Sequence, residues 1–121
     1  MIIYRIQDKE GRGPFRPGFS KSWIENRDDH DNLLPWNLEF GVLMGADWEI
    51  VACGCRSKKQ LRRWFSRVEY NRLLSLGYAS VTLKPSRILA ESKIQCVFAR
   101  VIPLNVGATR FNLYEAKSEE V

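Results

Sequence analysis

The stretch Trp48-Glu49-Ile50-Val51-Ala52-Cys53-Gly54-Cys55-Arg56-Ser57-Lys58-Lys59-Gln60-Leu61-Arg62-Arg63-Trp64-Phe65-Ser66-Arg67-Val68-Glu69-Tyr70-Asn71-Arg72 decides how this chain is read. Trp48 to Cys55 is an apolar run of strand length. Ser57 with Gln60, and Ser66 with Glu69, then fit the capping box, in which the hydroxyl and the later side chain satisfy orphan amide donors at a helix start. A buried strand therefore feeds directly into two short helices, or one helix with a break. From Arg56 to Arg72 seven basic residues and one acid surround Leu61, Trp64, Phe65 and Val68. The helical region must show a cationic face to solvent while those apolar side chains, Trp64 and Phe65 included, pack into the core.

Working outward, Leu73, Leu74 and Leu76 complete the helical region, and Gly77 stands where a C-cap glycine is expected. Tyr78 to Lys84 alternates with period two, which places Ala79, Val81 and Leu83 on one face of a strand that Pro85 ends. Ile94 to Ile102 reads as the longest strand, with Gln95 among its few polar members, and Phe111 to Tyr114 as an edge strand. On the N-terminal side, residues 2 to 7 are rich in β-formers and stop at Asp8-Lys9-Glu10-Gly11, a turn signal. Gly11-Arg12-Gly13-Pro14-Phe15-Arg16-Pro17-Gly18-Phe19-Ser20 excludes regular structure. It is either a functional loop or a crossover packed by Phe15 and Phe19. Ser20 to Asn26 starts a short helix, Arg27 to Asn32 is a solvated acidic loop, and Leu33 to Gly45 is a strand or an irregular apolar segment. Strands before and after a central helical segment, without regular alternation, predict an α+β fold: a mainly antiparallel twisted sheet with the basic helical segment on one side. Residues 1–116 form one domain in this reading and 117–121 a frayed tail. No internal repeat is evident.

Apolar residues make up 45% of the 121-residue chain and charged residues 27%, which argues against wholesale disorder. Residues 1–50 hold six basic and nine acidic side chains, residues 51–121 thirteen basic and five acidic. A chain so divided is electrically two-sided, and its basic part favours acidic partners, whether nucleic acid or an acidic protein surface. Three cysteines, Cys53, Cys55 and Cys96, make no disulfide framework and read as reduced thiols of a cytosolic protein. With His30 as the sole histidine no zinc site is expected, and His30 beside Asp29 and Asp31 is too thin a ligand set for another metal. No apolar run reaches the roughly 18 residues of a membrane span.

A Ser-His-Asp or Cys-His arrangement would have to use His30 in that solvated loop, and neither a nucleophile elbow nor a Walker loop is present. The residues by themselves call for no cofactor. Arg12, Phe15 and Arg16 on the loop, with Arg62, Arg63 and Arg67 on the helices, are the candidate contact surface, because arginine and aromatic side chains are the usual interface anchors.

Two resemblances add to this reading. Tyr4-Arg5, the segment Gly11 to Ser20, Arg56-Ser57 through Trp64-Phe65, and Ile88-Leu89-Ala90-Glu91-Ser92 resemble an uncharacterised group of small phage and prophage proteins. That resemblance implies an accessory protein acting in the cytoplasm of a host cell, as stoichiometric inhibitors of the anti-CRISPR kind do, by occupying a host protein or nucleoprotein complex. Separately, an opening strand with a polar residue, a strand running into a helix, and a late strand headed by an amide look similar in order to ADP-ribosyltransferase-like domains. On that resemblance Arg5 would hold NAD, Ser57 would stand near the nicotinamide ribose, and Gln95 would replace the usual glutamate, with Glu91 close in sequence. That glutamate normally stabilises positive charge developing in the transition state. Without the resemblance, Arg5 and Gln95 read as outward strand residues and Ser57 as an N-cap.

Overall fold

The computed structural model describes residues 1–15, 18–25 and 33–114. Among them the elements run β1 (Ile3–Asp8), a 3-10 turn (Ser20–Ser22), α1 (Trp36–Glu39), β2 (Ile50–Gly54), α2 (Lys58–Trp64), α3 (Arg67–Ser75), β3 (Tyr78–Leu83), β4 (Arg87–Glu91), β5 (Cys96–Arg100) and β6 (Thr109–Arg110). The fold is α+β, and every strand pairing is antiparallel. The strands form two three-stranded sheets, β1-β3-β6 and β2-β5-β4. One bridge joins them: Tyr4 and Cys55 exchange both backbone hydrogen bonds, at 2.8 Å each. Beyond that bridge the sheets part, and the parting creates the cleft described below.

Period-two alternation assigns the strand side chains to two cores. Ile3, Val81, Leu83, Cys96 and Phe98 form the first, with Ala52, Ala79 and Ile88 against it. Ile6, Trp23, Leu61, Trp64, Phe65, Tyr70, Leu73 and Leu113 form the second, under the helices. β1 lies between them, with Ile3 facing one and Ile6 the other. Gly54 permits the close approach of β1 to β2, since a Cβ there would overlap Ile3 Cγ2 and lie 3.1 Å from the Tyr4 carbonyl.

Both helix starts are capped as the sequence requires. Ser66 Oγ accepts from the Glu69 amide and Glu69 accepts from the Ser66 amide, a complete capping box. At α2 the Ser57 hydroxyl accepts from the Gln60 amide, but Gln60 reaches one residue further back, to the Arg56 amide at 2.7 Å. Gly77 follows α3 with φ +90°, the left-handed geometry that glycine adopts without a Cβ penalty.

Several expectations are corrected. β5 starts at Cys96 and is shorter than β1 and β3, because Gln95 belongs to the preceding turn, where it is buried. β6 is Thr109–Arg110, and residues 111–114 are a strap across the helices instead of a strand: Leu113 is fully buried, and Tyr114 donates to the Phe65 carbonyl at 2.6 Å. β4 was hidden in the sequence by its short, half-exposed pattern. Between 33 and 45 the one regular element is the single turn of α1. The helix expected from Ser20 is one 3-10 turn. The frayed-tail segment 117–121 and the acidic loop with His30 lie outside the described residues.

Candidate functional site

A cleft of about 610 Å³ opens where β1 and β2 diverge. Arg5 and Ile6 of β1 and Ala52, Cys53 and Gly54 of β2 line it, α2 adds Leu61 and Trp64, and Phe15, Trp36 and Gln95 complete it from loops and α1. Its volume is within the range typical of small-molecule sites.

Arg5 is buried in this cleft, which corrects its reading as an outward strand residue. Its neighbour two residues on, Gln7, points to the same face, and Arg5 Nε donates to Gln7 Oε1 at 2.8 Å. Nη1 donates to the Cys53 carbonyl at 2.7 Å and Nη2 to the Gly11 carbonyl at 2.9 Å, so one side chain ties β1, β2 and the turn after β1 together. Gln7 donates in turn to the Leu104 carbonyl at 2.8 Å. Burial lowers the Arg5 pKa, an effect only partly offset by the proximity of Cys53 and Asp8.

Gln95 is buried as well, and so is no outward strand residue either. Its amide donates to the Leu34 carbonyl at 2.7 Å and to Glu39 Oε1 at 2.9 Å, while the Ser92 hydroxyl donates to the same Glu39 oxygen at 2.9 Å. This cluster fastens α1 to the β4–β5 turn and sets Trp36 at the cleft. The structure thus brings Arg5 and Gln95 into one cavity. Ser57 is spent as the N-cap of α2 and is not among the residues lining the cleft. Glu91 makes an ion pair with Arg56 at 3.0 Å.

The candidate contact residues divide. Phe15 and Arg12 stand at the cleft. Phe15 packs edge-on against Trp23 and Trp64, 5.1 and 5.8 Å between centroids, and Phe19 stacks on Tyr78, so the loop is a packed crossover that also walls a cavity. Arg12 pairs with Asp8 at 2.9 Å and Glu10 at 3.3 Å. Burial disfavours ionised Asp8, but donations from the Arg12 amide and guanidinium and from the Glu10 amide hold its carboxyl below the ordinary value. Arg62, Arg63 and Arg67 are exposed on the helices, away from this cleft. Arg62 Nε donates to the Leu113 carbonyl at 2.9 Å, and the guanidinium groups of Arg62 and Arg67 lie 5.7 and 5.0 Å from the centre of the Tyr114 ring. With Lys58 and Lys59 they form a cationic ridge. Arg16 lies outside the described residues.

The three cysteines are free thiols, as expected. Burial raises the pKa of Cys53 and of Cys55, and pushes that of Cys96 up to about 12, so none is an activated nucleophile. Among the described residues no acid, cysteine or histidine cluster suited to a metal occurs, and no helix is long and apolar enough to cross a membrane. Sequence reasoning missed Gln7, whose i, i+2 spacing from Arg5 was a readable signal, and Trp36, which stood in a segment without a clear period.

Fold and site define a small α+β protein whose two antiparallel sheets diverge around an arginine-floored cleft. The chain belongs to the Bacteriophage T4 Y00F protein family, whose model it matches over residues 1–108. No curated protein and no solved structure matches it.

Proposed function

We propose that this phage protein is a binding or inhibitory module that occludes an acidic surface of a host protein or nucleoprotein complex in the host cytoplasm. The observation supporting this reading is the ridge of exposed cations on α2 and α3, in which Arg62 is held by the Leu113 carbonyl and the Tyr114 ring. A side chain already fixed loses less freedom on binding, and a guanidinium fork matches carboxylate and phosphate geometry. Nucleic acid within a nucleoprotein target would meet the same ridge through its phosphates. Arg12 and Phe15 would extend the contact from the cleft side.

The test uses the protein as bait in host lysate at moderate salt, followed by affinity measurement with the captured partner. Lys59→Glu with Arg63→Glu, both exposed, is expected to weaken binding at least about tenfold with little change in melting temperature. Unchanged affinity would remove the ridge from the contact surface.

The second reading is an ADP-ribosyltransferase-like enzyme that uses NAD to modify a host target. What favours it is the meeting of Arg5 and Gln95 in one cleft. Against it stand the position of Ser57 and an amide where the resemblance expects a carboxylate. Incubation with NAD and host lysate, read by mass spectrometry, decides: ADP-ribose adducts lost in Gln95→Ala support it, and absence of adducts sinks it.

A further inference from the structure

Two buried polar groups in the cleft are only partly used by the fold. Arg5 is 6% exposed and carries five N–H donors, of which three reach Gln7, Cys53 and Gly11. One N–H on each terminal nitrogen has no acceptor among the described residues. Gln95 is 3% exposed and directs its amide hydrogens to Leu34 and Glu39, which leaves Oε1 without a donor there. Buried donors and acceptors without partners are rare, because each loses its hydration for nothing in return. Asp8, the acid that acts on Arg5, is itself taken by Arg12 and backbone amides. The walls around the two groups include the rings of Phe15, Trp36, Trp64 and Phe65.

The geometry points to a binding site for an aromatic ring that bears an anionic group, phosphate or carboxylate. The anion takes the spare donors of Arg5, the ring lies among the aromatic walls, and a ring N–H or amino group donates to Gln95 Oε1. Holding such a ligand breaks no bond and needs no macromolecular partner, so the site is independent of the cationic ridge. It shares the Arg5–Gln95 cleft with the ADP-ribosyltransferase-like reading but requires no transfer of ADP-ribose, so adducts and ligand binding are read separately.

The full chain is titrated with AMP, adenosine, 4-aminobenzoate and inorganic phosphate, followed by calorimetry and by intrinsic tryptophan fluorescence, to which Trp36 and Trp64 of the cleft contribute. At least one of AMP and 4-aminobenzoate is expected to bind about tenfold or more tightly than adenosine or phosphate alone. Binding of AMP only identifies a nucleotide as the source of the anion, and binding of 4-aminobenzoate only an aromatic acid. Gly13→Val is the companion variant. A Cβ at Gly13 lies 3.7 Å from Arg5 Nη2, an ordinary contact, and its φ is not in the left-handed region, so the new side chain covers the guanidinium without backbone strain. It is expected to weaken binding about tenfold while the melting temperature holds. The inference is overturned if neither anionic ring compound binds more tightly than adenosine and phosphate, or if Gly13→Val binds the preferred compound as well as the parent chain does.

Discussion

Glu69→Ala should be among the most damaging single changes in this protein. Glu69 is fully buried at the start of α3, with Oε1 accepting from the Ser66 amide and Oε2 from the Glu25 amide, both at 2.8 Å. One carboxylate therefore closes the capping box and also anchors the backbone just after Trp23 and Ile24; Arg72 assists by donating to the Trp23 carbonyl at 3.2 Å. Each hydrogen bond to a charged acceptor contributes about 1.5–3 kcal/mol, and truncation leaves two part-buried donors unpaired. A loss of about 3–5 kcal/mol follows, set against a total stability of about 5–15 kcal/mol. For a chain of this length the melting temperature should fall by roughly 10–20 °C. Glu69→Gln, which keeps one acceptor but turns an amide group toward a backbone N–H, should lie between the parent and Glu69→Ala. Thermal and urea melts followed by circular dichroism supply the numbers, and hydrogen exchange should show the Ser66 and Glu25 amides opening first. A loss below about 1 kcal/mol in Glu69→Ala would refute the clamp.

Two further outcomes test the sheet junction and the charge distribution. Gly54→Ala should cost about 1–3 kcal/mol by forcing β1 away from β2 at Ile3 and the Tyr4 carbonyl; a melt matching the parent would show that the two strands have slack. Glu49 is held at a pKa of about 2, against an ordinary value of 4.5, first by the Arg87 side chain and then by the Ala46 amide. Because the folded value is depressed, its stabilisation is fully present above about 4.5 and is lost as pH falls toward about 2. Arg87→Met should flatten the stability profile in that window and leave it unchanged near neutrality in shape, and an unaltered acid limb would exclude the pair as its source.

The sequence by itself determined the elements whose signals are local. The capping residues Ser57 and Ser66, the C-cap Gly77 and the alternation of Tyr78 to Leu83 each act within a few residues, so they could be read directly. The fate of Trp64 and Phe65 followed for the same reason, since their spacing with Leu61 defines one helix face. What only the tertiary structure decided is everything that depends on distant partners. Arg5 and Gln95 look like solvent-facing polar residues in a strand pattern, and their burial is set by carbonyls at Cys53, Gly11 and Leu34 that no local rule brings near. The strap of residues 111–114 had a strand-like composition, but packing of Leu113 and Tyr114 on the helices outweighs ladder formation, because burial of large apolar area contributes more than the propensity of four residues. Most of all, the cleft exists because β1 and β2 touch at one bridge and then diverge, a geometry fixed by the packing of two separate cores on opposite faces of β1.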